Sequence, residues 1–241
     1  MIGTRTTLAV IPARGGSKGL PGKNSRILCD RPLIEWTILS ALKSRYIDNI
    51  VISTDNDEIM EIAKRNGLPV PFRRPAEIST DVATSFAVVE HALGFLKEEF
   101  GQDFDYTILL EPTSPLRNDD DIDTMLAKLD NNRETMDGVV SIGRSNEITS
   151  ALKTLEGDFL KAYCTEHKAT SRRQDDDPAY FPFGGTYITK TSVLTDKETF
   201  YVDRLGWFKL QRYQQYEIDD FWDFLCVERV MEYQIENKCD S

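Results

Sequence analysis

Residues 10–24 read VIPARGGSKGLPGKN, and their reading decides the fold. The residues that lead into them, Thr7, Leu8, Ala9, Val10 and Ile11, are mostly apolar and rich in β-formers, so they predict a buried strand. Pro12 follows, then Gly15, Gly16, Gly19 and Pro21 among the cations Arg14, Lys18 and Lys23. A helical pattern starts near Pro32. An α/β sheet presents its ligands at the carboxyl ends of its strands, and a first strand running into a glycine-rich basic loop is such a place. Glycine lets the backbone approach a phosphate and aim N–H groups at it. The spacing is not that of a G-x-x-x-x-G-K-[ST] loop, because Leu20 and Pro21 stand five residues after Gly15 and Gly16. Nor is it G-x-G-x-x-G. The loop by itself therefore predicts an anion-binding turn, with a loop of solvated lysines as the alternative.

Outward from this loop, residues 32–46 place Leu33, Trp36, Ile38, Leu39 and Leu42 at helical spacing. Residues 49–54 read as a second strand, and Asp55 at its end as a cap for a helix over 57–66. Residues 68–72 read as a short third strand. Thr84 reads as the N-cap of a helix over 85–99, and residues 106–110 as a central parallel strand. A helix to about residue 129 follows, its acidic first turn complementing the helix dipole, then a strand over 138–142. This alternation predicts an α/β fold with a doubly wound, mostly parallel sheet. From Arg144 the chain turns polar, with a turn at Glu156-Gly157-Asp158, and reads as an inserted antiparallel excursion before strand character returns at 181–188. Residues 207–216 read as strand and loop, and 223–233 as a closing helix packed on the sheet. The expected organisation is one domain over 1–241 with an insertion over 144–185.

The 241 residues carry a formal net charge of −11. An acidic chain with a local basic loop suits a small anionic ligand and argues against nucleic acid or an anionic membrane as a partner. No stretch approaches a membrane span, and Met1 to Thr7 carry no apolar signal core, so a cytoplasmic location is expected. Cys29, Cys164, Cys226 and Cys239 are far apart, and with His91 and His167 they form no zinc pattern.

The glycine loop, together with Arg74-Pro75-Ala76-Glu77, the LEPTSPLR run at 110–117 and Glu217-Ile218-Asp219, in this order, resembles the CMP-sialic acid synthetase (acylneuraminate cytidylyltransferase) family. That family includes bacterial legionaminic and pseudaminic acid enzymes, and the resemblance spans roughly residues 8–228. It implies a nucleotidyltransferase fold, with CTP and a nine-carbon 2-keto acid sugar as substrates and pyrophosphate as the second product. It places the nucleotide near Ala13, Arg14, Gly15, Gly16, Ser17, Lys23, Asn24, Arg74 and Asp81. It places the sugar near Glu111, Thr113, Ser114, Arg117, Phe183 and Tyr187. The 144–185 excursion would be a dimerisation arm of a homodimer, bringing Lys153 and Arg173 to a neighbour's sugar site.

The reaction asks mainly for positioning and charge stabilisation. Lys23 is the residue expected at the α-phosphate, with Arg14 and Lys18 following the pyrophosphate. Glu217 and Asp219 alternate by two, so in an extended segment both carboxylates face one side, a spacing that suits Mg²⁺; alone, such a pair also reads as a helix cap. Three residues depart from the family pattern. Glu217 stands where an aspartate is usual, Glu111 where sialic acid enzymes carry glutamine, and Phe183 where they carry asparagine. A carboxylate in place of an amide loses two donors and gains a charge. The last two departures point away from N-acetylneuraminate and towards a related sugar such as legionaminate. A nucleotidyltransferase acting on a sugar 1-phosphate, and a nucleotide-binding protein without turnover, are the alternative readings.

Overall fold

The structure, a computed structural model, describes residues 1–145, 147, 151–163 and 178–238. Strand β1 (Thr7–Pro12) enters the glycine loop, which closes with a single 3₁₀ turn (Lys23–Ser25). A small antiparallel pair follows, β2 (Ile27–Leu28) and β3 (Arg31–Pro32), then α1 (Leu33–Lys43), β4 (Asn49–Ser53) and α2 (Asp57–Arg65). Next come α3 (Ser85–Phe100), β5 (Tyr106–Leu110), α4 (Asp121–Asn131) and β6 (Gly138–Arg144). A hairpin of β7 (Lys153–Glu156) and β8 (Phe159–Ala162) leads towards β9 (Tyr180–Lys190), α5 (Thr191–Lys197), β10 (Leu205–Lys209) and α6 (Phe221–Lys238).

The main sheet has the order β10-β6-β9-β5-β1-β4. β1 pairs in parallel with β4 and β5, and β10 in parallel with β6, while β9 runs antiparallel between β5 and β6. Alternation along the central strands divides the core. Ala9 and Ile11 of β1 face α1, α2 and α4, meeting Ile34, Ile38, Ile62 and Met125. Leu8 and Val10 face the other way, onto Val89, Ala92 and Leu96 of α3 and Leu194 of α5. Helices on both faces of the sheet make it doubly wound, and each such side chain taken fully from water contributes about 1.5–3 kcal/mol.

Four details depart from the sequence reading. Residues 68–72 form no strand: Pro69 and Pro71 lack the N–H groups a ladder needs, and β4 remains the sheet edge. Asp55 does not cap α2; the Asn56 side chain accepts the Ile59 N–H at 3.1 Å in that role. Thr84 does cap α3, accepting the Ala87 N–H at 3.1 Å. The apolar face of α6 does not lie on the main sheet. Phe224, Val227 and Met231 pack instead with Leu20, Leu28, Leu33, Leu116 and Ile218, so α6 fastens the end of the glycine loop to the 217–219 segment. Helix α5, absent from the sequence reading, turns the chain between β9 and β10 and carries residues 198–201 to the sheet's ligand end.

Candidate active site

At the carboxyl ends of β1 and β5 lies a cavity of about 300 Å³, walled by Arg14, Gly16, Ser17, Lys23, Asn24, Arg74, Thr80, Asp81, Glu111, Thr113 and Asp219, among others. Backbone contacts tie the glycine loop to its neighbours. The Ala13 N–H donates to the Ser53 carbonyl at 2.9 Å, and the Gly15 N–H donates to Asp55 Oδ1 at 2.8 Å. Asn24 Nδ2 donates to the Arg14 carbonyl at 3.1 Å. At Gly19 the loop presses so closely on the Asp219 carbonyl that any Cβ would overlap it. Glycine there is a condition for joining the first loop to the last.

The cations are already placed. Arg14 Nη1 lies 2.5 Å from Asp81 Oδ1, and Lys18 Nζ lies 2.7 Å from Asp81 Oδ2; Lys18 and Arg14 hold this carboxyl below the usual range. Lys23 is largely buried, with Nζ donating to the Ile218 carbonyl at 2.6 Å and lying 3.5 Å from Asp219 Oδ1. Arg74 is buried behind them, donating from Nε to Ser53 Oγ at 3.0 Å and from Nη2 to the Ser53 carbonyl. Burial pushes its guanidinium down to about 10, with Asp55 opposing, so it remains a cation at neutral pH.

A second cavity, of about 360 Å³, adjoins the first and shares Thr84, Ser85 and Glu111 with it. Its other walls are Phe86, Leu109, Tyr187, Glu198, Thr199, Phe200 and Tyr201. Tyr187 and Tyr201 pack edge to face at 5.9 Å, and burial with the Tyr201 contact pushes the Tyr187 phenol up. Apart from Tyr187 and Glu111, the sequence reading named none of these residues as sugar contacts. Phe200 and Tyr201 reach the site because α5 returns the chain beneath β9, a placement with no spacing signal in the sequence.

Glu111, Glu217 and Asp219 differ sharply in environment. Glu217 is half-buried, and its Oε1 accepts both Ser114 Oγ and the Gly184 N–H at 2.9 Å. Burial raises its carboxyl, and those hydrogen bonds oppose the shift. Asp219 is exposed on the rim of the first cavity. The segment therefore turns one carboxylate inward and the other outward. Burial raises Glu111 too, reinforced by Glu217 and opposed by Arg117. Among the described residues, no group of three His, Cys, Asp or Glu side chains is arranged to hold a metal.

Arg117 lines neither of the two joined cavities. It donates to the Glu111 carbonyl at 2.7 Å, the Gly185 carbonyl at 3.0 Å, Thr186 Oγ1 at 2.8 Å and Thr37 Oγ1 at 3.1 Å. It thus ties the end of β5 to the glycine pair of β9 and to α1. Gly185, at φ +47°, lies where a Cβ would come within 2.7 Å of the Glu111 Cβ, so the two backbones meet only because it is glycine. Phe183 also stands off both cavities, packed on Phe181 at 5.0 Å. Lys153 is exposed on β7 and lines neither cavity. Arg173 lies outside the described residues.

The arrangement is a cationic, glycine-walled cavity joined to an aromatic one across a carboxylate, at the ligand end of a doubly wound sheet. The chain is 32% identical over 236 residues to the CMP-N,N'-diacetyllegionaminic acid synthase of Legionella pneumophila, covering 93% of this chain and 96% of that protein. It is 32% identical to the pseudaminic acid cytidylyltransferase of Campylobacter jejuni, covering 90% and 92%. It is 31% identical to the N-acylneuraminate cytidylyltransferase of Escherichia coli, covering 97% of this chain but about half (54%) of that longer protein. Among solved structures, a CMP:2-keto-3-deoxy-manno-octonic acid synthetase complexed with CTP superposes with a TM-score of 0.70 at 15% identity, over 95% of this chain and 99% of that one. That likeness speaks to the fold. Residues 8–232 match the family described as Cytidylyltransferase, and the chain belongs to that family of enzymes.

Proposed function

We propose that this cytidylyltransferase transfers CMP from CTP to the anomeric hydroxyl of a nonulosonic acid, releasing pyrophosphate. The observation that carries the reading is the pair of joined cavities. The first offers Arg14 and Lys23 to a triphosphate, with Lys18 beside it on Asp81; the second offers aromatic faces to a sugar ring and its acyl groups. The names of the relatives support a nonulosonic acid as acceptor. Legionaminate is the acceptor to test first, since a CMP-N,N'-diacetyllegionaminic acid synthase is among the relatives matched over nearly their whole length, and Glu111 and Phe183 depart from the sialic acid pattern.

Each residue then has a task. Lys23, fixed by the Ile218 carbonyl, stands to meet the negative charge that gathers on the α-phosphate oxygens. Arg14 and Lys18 leave Asp81 to follow the β- and γ-phosphates. Gly16 and Ser17 line the phosphate path, and Arg74, Asn24 and Thr80 flank the nucleoside. Arg117, Ser114 and Thr113 act by position. Arg117 holds the Glu111 backbone, Ser114 holds Glu217, and the Thr113 carbonyl accepts the Ile218 N–H at 2.9 Å.

The donor set fits Mg²⁺, a hard cation that takes one or two carboxylates and fills its shell with phosphate oxygens and water. Asp219, exposed at the cavity rim, is one such carboxylate; Glu217, expected on the same side, is instead held inward by Ser114 and Gly184 and would have to turn outward to join it. The metal would supply Lewis-acid polarisation of the phosphate oxygens.

The reading includes a homodimer and a cytoplasmic location, where CTP is made. The β7–β8 hairpin supports the dimer: among the described residues it is a separate two-stranded ribbon with every residue exposed, including Leu155, Phe159 and Leu160. Such a ribbon needs a partner surface to be stable. Among the described residues no helix is long and apolar enough to cross a membrane.

The test is pyrophosphate release with CTP and Mg²⁺ across N-acetylneuraminate, legionaminate, pseudaminate and 3-deoxy-octulosonate, each repeated with Asp219→Ala. Release with one nine-carbon acid, lost in the variant, is the expected result. Release with none of them, but with a sugar 1-phosphate, would overturn the reading.

A further inference from the structure

Among the described carboxylates around the joined cavities, Glu111 alone is half-buried with no hydrogen-bond partner for its side chain. Glu217 spends an oxygen on Ser114 and Gly184, and Asp219 stands in solvent beside Lys23. The Glu111 side chain accepts no hydrogen bond from any described residue, yet its backbone is held at three points. Its N–H donates to the Gly185 carbonyl at 2.8 Å, and its carbonyl accepts Arg117 Nη2 at 2.7 Å and the Ser114 N–H at 3.4 Å. A rigidly held carboxylate that opens onto both cavities and takes no donor from the described residues keeps its lone pairs for a donor on a bound molecule. Its place tells which donor. Glu111 belongs to the walls of both cavities, so it faces the point where a molecule in one meets a molecule in the other.

Resting on the CMP-transfer reading above, we propose that Glu111 accepts the hydrogen bond of the attacking anomeric hydroxyl, orients it, and takes its proton. The anomeric oxygen forms its bond to the α-phosphorus as the bond from that phosphorus to the bridging oxygen breaks. The electron pair leaves with pyrophosphate. The hydroxyl proton ends on the Glu111 carboxylate and passes to water after product release. Burial and the nearby Glu217 make this carboxylate a stronger base than an exposed one. Glutamine, which can donate and accept but cannot take a proton, would position the hydroxyl without this step.

The experiment compares the full-length protein with Glu111→Gln and Glu111→Asp, measuring kcat and KM for the sugar and CTP at several Mg²⁺ concentrations, alongside CTP binding and thermal melting. Glu111→Gln is expected to lower kcat by about a hundredfold or more, the span of general base catalysis. The KM for CTP should hold within about threefold, with melting no lower than wild type. Glu111→Asp, which keeps the base on a shorter arm, is expected to recover part of the loss. A Glu111→Gln kcat within about threefold of wild type would overturn the proposal. So would a loss that higher Mg²⁺ restores, which would make Glu111 a metal ligand. If wild type itself turns over no nonulosonate, the CMP-transfer reading fails and this proposal with it. If wild type turns over and the variant matches it, only this proposal fails.

Discussion

Arg14 and Asp81 meet across the mouth of the first cavity at 2.5 Å, and Lys18 takes the other Asp81 oxygen at 2.7 Å. The two cations that the proposed function assigns to the triphosphate are thus neutralised by one carboxylate. Asp81 and the phosphates compete for the same charges. Asp81→Asn should therefore tighten pyrophosphate binding about three- to tenfold, as expected for losing a partly exposed pair. Titration calorimetry with inorganic pyrophosphate checks this, and weaker binding would show that Asp81 aligns the cations instead.

Lys23 makes a different prediction, because its ammonium is largely buried and anchored on the Ile218 carbonyl at 2.6 Å. Lys23→Met keeps the stem and removes the charge. A loss of about a hundred- to a thousandfold in kcat is expected, the size typical of removing one donor to transition-state charge. Steady-state kinetics with saturating CTP separates this from a binding defect.

Asp137 tests the fold away from the site. It sits buried at the start of β6, bonded by Arg204 Nε and Nη2 at 2.7 and 2.6 Å and by Lys190 Nζ at 2.9 Å. Arg204 above all, then Lys190, holds its carboxyl down to about 2. A folded value below the unfolded one near 3.9 means stability present above pH 4 and lost as pH falls towards 2. Half of Arg204 is exposed, so the contribution is about 1–2 kcal/mol after solvent screening. Urea unfolding should show Asp137→Asn weaker than wild type by that amount at pH 7 and nearly equal to it at pH 2.

The β7–β8 hairpin predicts assembly. Leu155, Phe159 and Leu160 are each more than two-thirds exposed. Replacing all three by serine should convert a particle of twice the 27.5 kDa chain mass into a monomer, read by light scattering. A wild-type protein that is already monomeric at working concentration would count against the arm.

Much of this was legible in the chain itself. The run from Thr7 to Ile11 announced a buried strand because both faces of that strand are apolar, as helices on both sides of a sheet require. The glycines and cations after it lie at a cavity at the carboxyl ends of the strands, and Thr84 announced its helix. Residues 68–72 misled because apolar content resembles a strand while Pro69 and Pro71 withhold the hydrogen bonds that make one. Asp55 misled because a carboxylate before a helix is ordinarily a cap, whereas here it holds Gly15.

Local pattern thus determined most of the main strands and helices, since those depend on neighbours within a few residues. Only tertiary structure decided that Glu217 turns inward to Ser114 and Gly184 while Asp219 turns outward. It also decided that Arg117 is spent on four internal partners, and that Phe200 and Tyr201 complete an aromatic cavity against Glu111. These outcomes depend on contacts between segments as much as a hundred residues apart, where burial and hydrogen-bond geometry, rather than spacing, choose each side chain's partner.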